Sequence, residues 1–136
     1  MNLHASCVAL EGRGLLILGP SGAGKSSLAL QLMAFGAQLV ADDRVELRRR
    51  GDRLIAICPA PLSGLIEARG VGLLRAEPLA EAVLHLAVDL GQTETERLPE
   101  RHGIVFLGCR IDLVRATPSA HFPAALLQYV RQGRGA

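Results

Sequence analysis

Short apolar runs, broken by glycine, proline and arginine, recur along most of the chain. LHASCVAL (3–10) predicts a strand, EGRG (11–14) a turn, and LLIL (15–18) the partner strand of a hairpin. In SSLALQLMAFG (26–36) the period changes: Leu28, Leu32 and Phe35 share one helical face and Gly36 marks the stop. QLVA (38–41) predicts a strand that ends in Asp42 and Asp43. VELRRR (45–50) and RLIAIC (53–58) flank Gly51-Asp52, a hairpin signal. PAPLSG (59–64) reads as a loop, and LIEARGVGLL (65–74) shows mixed patterning, with Gly70 and Gly72 predicting mobility. VLHLAVDL (83–90), GIVFLG (103–108) and RIDLVR (110–115) predict strands. FPAALLQYVRQ (122–132) predicts a terminal helix with Phe122, Leu126 and Tyr129 on one stripe, and GRGA (133–136) a frayed tail. No internal repeat or low-complexity segment interrupts this order. The sum is one α/β domain over residues 1–136, richer in strand than an ordinary doubly wound fold.

Composition narrows the partners. Hydrophobic content of 49% with 21% charged residues is that of a globular domain, and 136 residues suffice for a real core. The net charge of +2 is too small to argue for duplex DNA, and 3% aromatic residues without Trp leave no stacking platform for single strands. No nucleic-acid partner is therefore expected. No basic region followed by an apolar stretch opens the chain, so no signal peptide is expected. No apolar run approaches the ~20 residues of a membrane helix, so no membrane partner is expected. Cys7, Cys58 and Cys109 are odd in number and widely spaced, which predicts reduced thiols, small core residues and a cytoplasmic location.

The most informative stretch is GPSGAGKSS, Gly19 to Ser27. It follows the spacing G-x-x-x-x-G-K-[ST] between a predicted strand and a predicted helix, the setting of a phosphate-binding loop. Gly19, Gly22 and Gly24 let successive backbone N–H groups turn toward an anion, and Pro20, Ser21 and Ala23 complete the cradle. Lys25 supplies a mobile charge for terminal phosphates, Ser26 a hydroxyl for magnesium, and Ser27 the next helical N–H. Of 15 Lys plus Arg residues only Lys25 is lysine, so the one ammonium falls where a nucleotide loop needs it.

Phosphoryl transfer also needs carboxylates near such a loop. The apolar strand of LVADD (39–43) delivers Asp42 and Asp43 together. Neighbours on a strand point to opposite sides, so both reach one site only if the chain bends there. Asp89 in HLAVDL is a competing acid, with a polar turn as its alternative role. The single asparagine, Asn2, precludes the guanine-reading N-K-x-D motif, which disfavours a GTPase. A small-metabolite kinase would bring an arginine-rich helical lid, whereas the middle of this chain is strand.

Together, HASCVAL, GRGLLILGPSGAGKSSLALQL, GAQLVADDRVEL and GLIEARGVGLL resemble, in order, the catalytic domain of the HPr kinase/phosphorylase family. The resemblance runs from His4 to about Arg97 and weakens toward Tyr129. It implies a P-loop domain of the HPr kinase and phosphoenolpyruvate carboxykinase-like type. It implies transfer from ATP, with pyrophosphate as another donor, to a serine of HPr, the small carrier protein of the phosphotransferase system. It further implies Mg2+ as cofactor and a homohexamer. By the same resemblance His4 lies near the transferred phosphate, Lys25 is the catalytic lysine, and Asp43 is the general base, with Asp42 supporting metal or nucleophile. Ser26 and Glu67 are magnesium ligands, Glu67, Ala68, Arg69, Gly70, Val71 and Gly72 form a signature loop, and Arg97 stabilises charge on the moving phosphoryl group. The 65–74 segment and the terminal helix from Phe122 to Tyr129 are the expected docking surface for HPr, the helix alternatively being core or a subunit contact.

Two departures stand out. The loop begins at residue 19, where the family usually carries a separate N-terminal domain first, so a catalytic-domain-only form is expected. LVRATPSAHFP stands where the family has a basic, glycine-containing stretch tied to the reverse reaction; Arg115 matches its first arginine, and the glycine and second arginine are gone. Weak or absent phosphorylase activity is the expectation. The alternative reading is a nucleotide-responsive regulator that binds HPr or a sensor kinase without turnover.

Overall fold

A computed structural model describes all residues, 1–136. The strands are β1 (Asn2–Leu3), β2 (Ser6–Leu10), β3 (Arg13–Leu18), β4 (Gln38–Ala41), β5 (Val45–Arg50), β6 (Arg53–Ile57), β7 (Leu65–Ala68), β8 (Gly72–Arg75), β9 (Glu81–Thr93), β10 (His102–Phe106) and β11 (Cys109–Ala116). The helices are α1 (Lys25–Ala34) and α2 (Phe122–Gln132), with a 3-10 turn at Ala60–Leu62.

Nine strands form one mixed sheet, whose main path runs β1-β5-β6-β9-β3-β2-β4. The 13-residue β9 organises it. Its first residues pair antiparallel with β6, its middle pairs parallel with β3, and its second half pairs parallel with β11 on the edge away from β3. β10 closes that side as the hairpin partner of β11. β2 lies between β3 and β4, antiparallel to both. The strand that precedes the glycine-rich loop and the strand that ends in the aspartates are therefore separated only by β2.

Alternation along the strands divides the core in two. Val8, Leu10, Leu15, Ile17, Leu86 and Val88 face α1 and α2, whereas Ala5, Cys7, Ala9, Leu16, Leu84 and Ala87 belong to the opposite cluster with β5 and β6. Leu84 and Leu86 would share a face in a regular strand. They do not, because the β3–β9 register slips between Gly14 and Leu15 and leaves His85 as an extra residue. Gly14 is required at that slip: a Cβ there would stand 2.9 Å from the carbonyl oxygen of Val83.

Most predicted elements lie where their patterns place them, and the departures have local causes. The strand expected over 3–10 breaks at His4-Ala5, so β1 pairs with β5 while β2 pairs with β3 and β4. Phe35 is not on the buried face of α1 with Leu28 and Leu32. It caps the C-terminus and is 61% exposed. The segment 65–74, mixed in pattern, forms most of the hairpin β7–β8, with four paired positions. Ile66 anchors it in the core beneath α1. β10 ends at Phe106 rather than at residue 108, because Leu107 and Gly108 both take positive φ and make the hairpin turn. On α2, Phe122, Leu126, Leu127 and Val130 are buried, so this face is core. Tyr129 is only half-buried, and its hydroxyl donates to Asp112 at 2.9 Å. The tail is tied rather than frayed at Arg134, whose guanidinium donates to the carbonyl of Pro99 at 2.8 Å.

Candidate functional site

β3 ends at Leu18 and the chain enters the loop Gly19–Gly24, which turns back on itself through the N–H of Ala23 donating to the Pro20 carbonyl. Gly24, at φ 100, lies in the left-handed region that only glycine adopts freely, and α1 begins directly after it. No side chain caps α1. Its first N–H groups and the positive end of its dipole therefore face the loop, which is the arrangement that binds anions. The Lys25 ammonium is held over this loop by the carbonyls of Gly19 (2.8 Å) and Pro20 (3.1 Å).

β4 brings the acids. Asp42 is 6% exposed, and its carboxylate accepts three hydrogen bonds. Oδ1 accepts from the hydroxyls of Ser26 and Ser6, both at 2.7 Å, and Oδ2 accepts from the backbone N–H of Glu67 at 3.0 Å. Three elements, α1, β2 and β7, thus converge on one carboxylate. Asp43 stands at φ 69, a left-handed conformation that aspartate tolerates better than most residues. This bend removes the strand alternation. Asp42 points inward to Ser26, and Asp43, exposed, still lines the same cleft.

The cleft has a volume of about 180 Å³ and no hydrophobic residue lines it. Ser21, Gly22, Gly24, Lys25, Ser26 and Ser27 form one wall; Ser6, Asp43, Glu67 and Arg69 form the other. Ligand sites are ordinarily mostly apolar, so a wholly polar cleft with two cations and two carboxylates suits a phosphate chain rather than an apolar metabolite. No three His, Cys, Asp or Glu side chains converge into a metal cage. Magnesium bound together with phosphates needs only one or two protein carboxylates and oxygen donors. The Ser26 hydroxyl and the Glu67 carboxylate supply such hard donors here, so the residues fit that ion.

His4 and Arg97 are exposed and do not line the cleft. His4 sits in the break between β1 and β2, and Arg97 in the connection from β9 to β10. Asp89 is not in a turn: it lies within β9, paired with Leu18 and Arg115, and its carboxylate accepts from the Gly91 N–H and the Gln92 amide, both at 2.8 Å, beside the start of the loop. Of the cysteines, Cys7 is fully buried, and burial pushes its thiol up to about 12. Cys109 is buried as well. Cys58 is only half-buried, and its thiol is raised first by burial and then by the nearby Asp42 charge.

Sequence reasoning missed Ser6. It is the lone hydroxyl in SCVAL, a strand whose every residue is buried, and no motif marks it.

The family model described as "HPr Serine kinase C-terminal domain" matches residues 1–104. The chain belongs to that family. The chain is 40% identical over 109 residues to an HPr kinase/phosphorylase of Bordetella pertussis, a match that covers 71% of the chain and 35% of the relative. It is 34% identical over 140 residues to HPr kinase/phosphorylase 1 of Oceanobacillus iheyensis, covering 97% of the chain and 43% of the relative. The chain thus spans well under half the length of these curated relatives. In three dimensions it resembles the Hpr(Ser) kinase/phosphatase of Coxiella burnetii, with a TM-score of 0.80, 26% identity, and coverage of 96% of this chain and 94% of that one. The fold is accordingly the strand-rich α/β fold of HPr kinase C-terminal domains. No helix is long and apolar enough to cross a membrane.

Proposed function

We propose that this domain is the catalytic unit of a protein-serine kinase that transfers the γ-phosphoryl group of ATP to a serine of HPr. The observation that carries the reading is the single polar cleft in which Lys25, Ser26, Asp43, Glu67 and Arg69 meet the N-terminus of α1. Loop N–H groups would hold the phosphate chain, with the Lys25 ammonium on its terminal groups. Asp43 would accept the proton of the attacking serine hydroxyl. A carboxylate suffices as base because a loose transition state asks for little early proton removal. Ser26 and Glu67 would hold Mg2+, which neutralises phosphate charge when bound, and Asp42 keeps the Ser26 hydroxyl in place. Pyrophosphate is the other donor this cleft would accept.

HPr would dock on the β7–β8 hairpin. Its exposed Val71 (76%) and Leu73 (65%) stand beside Arg69 and Glu67 at the mouth of the cleft. The three unpaired thiols suit a reducing cytoplasm. Assembly as a homohexamer completes the proposal. A second reading, a nucleotide-responsive regulator of HPr or a sensor kinase, draws support from His4 and Arg97 lying outside the cleft. The test is transfer from ATP with magnesium to purified HPr, followed by mass spectrometry, beside Asp43→Asn. One phosphate gained on an HPr serine, slowed at least ~100-fold in the variant, is expected. Tight ATP binding with no transfer would favour the regulator.

A further inference from the structure

β9 is irregular at the end nearest the glycine-rich loop. Asp89 pairs with Arg115 of β11, but the next β11 residue, Ala116, pairs with Thr93. Leu90, Gly91 and Gln92 are therefore left over as a bulge. Asp89 closes this bulge with its own side chain. Oδ1 accepts the Gly91 N–H and Oδ2 accepts the Gln92 side-chain amide, both at 2.8 Å. Both carboxylate oxygens are thus committed to the bulge, and Asp89 does not line the cleft. An aspartate that bonds a backbone N–H two residues on fixes the path of the chain locally.

The bulge lies directly against the loop. A Cβ on Gly91 would stand 3.2 Å from Cδ of Pro20, and a Cβ on Gly19 would stand 3.2 Å from Cβ of Leu90 and 3.5 Å from the Gly91 nitrogen. Gly19 and Pro20 are also the residues that hold the lysine. Their carbonyls accept from Lys25 Nζ at 2.8 and 3.1 Å, and the Pro20 carbonyl takes in addition the Ala23 N–H that folds the loop back. Asp42 fixes the loop where it enters α1, through Ser26. The bulge supports it where it leaves β3. We infer that Asp89 is a positioning residue for the phosphate loop: it fixes the 90–92 bulge as a brace against Gly19 and Pro20, and so sets where Lys25 presents its charge. This inference rests on the reading of the cleft as a phosphate site and adds to it a residue outside the cleft.

Calorimetric titration of the 136-residue chain with magnesium tripolyphosphate tests the brace without requiring transfer to HPr. Asp89→Leu removes both acceptors and should weaken binding to the folded protein at least about fivefold. Asp89→Asn keeps an oxygen for the Gly91 N–H and should stay within about twofold of the parent. Gly91→Ala leaves Asp89 in place but presses a methyl group against Pro20 from an exposed position, and should weaken binding at least about threefold. It carries the test if Asp89→Leu does not fold, which thermal midpoints report separately. Parental affinity in Asp89→Leu at a lowered midpoint would make Asp89 a merely structural residue and overturn the inference. So would parental affinity in Gly91→Ala, or a loss in Asp89→Asn equal to that in Asp89→Leu. Absence of any binding that Lys25→Met removes would sink the phosphate reading itself, and the brace with it.

Discussion

Asp42 shows how much one buried carboxylate can organise. It takes hydrogen bonds from Ser6, Ser26 and the Glu67 backbone, so a change at any of three elements is felt at the phosphate loop. Bonds to a charged acceptor are worth more than neutral ones, and an emptied donor position beside a buried charge is costly. Ser6→Ala should therefore lower stability by about 1–2 kcal/mol in urea unfolding. Because Ser26 keeps its own bond to Oδ1, phosphate binding should survive, and the KM for ATP should change less than kcat. Equal stability of variant and parent would mean that Ser6 does not hold the carboxylate. At this scale the sequence was partly legible. Lys25, Ser26 and the two aspartates are recognisable from spacing alone, whereas Ser6 has no motif and becomes visible only when β2 is laid between β3 and β4.

Among the elements, the hairpin β7–β8 was the least readable. Glycines at 70 and 72 look like punctuation in one dimension, yet here they shape the turn of a hairpin whose Ile66 is buried and whose Glu67 N–H is anchored on Asp42. Tertiary contacts supply the order that local pattern denies. The connection after β9 shows the same effect with charge. The Glu94 carboxyl is held below its ordinary value, chiefly by the backbone N–H of Glu96, then by that of Thr95 and by His102, against some desolvation. A depressed carboxyl stabilises the fold above its unfolded value of about 4.5, and that contribution disappears as pH falls through the folded value. Glu94→Gln should therefore lower the thermal midpoint near pH 6 and converge with the parent as pH falls through the depressed folded value. A constant difference across that range would show that the charge is not responsible.

For the whole molecule, the direction of catalysis is the property most exposed to test. The segment from Thr117 to His121, between β11 and α2, carries no Lys or Arg. Arg115 at the end of β11 has its Nε buried without a partner. Attack by inorganic phosphate on a phosphoserine requires a place for an extra dianion, and such places are built from cationic groups or backbone nests. Phosphorolysis of phospho-HPr should accordingly run at least about tenfold slower than the forward transfer under matched substrate levels. Comparable rates would sink that expectation. What the sequence by itself determined is local structure: the strand, glycine-rich loop and helix of residues 13–34, the β5–β6 hairpin and the terminal helix, because turn residues, period and motif spacing act over a few residues. What only the tertiary structure decided is which distant groups meet. The parallel insertion of β9 between β3 and β11, the bend at Asp43, and the convergence of Ser6, Ser26 and Glu67 on one carboxylate depend on strand order. Strand order is settled by the burial of two opposed apolar faces across the whole sheet, which no short stretch of sequence records.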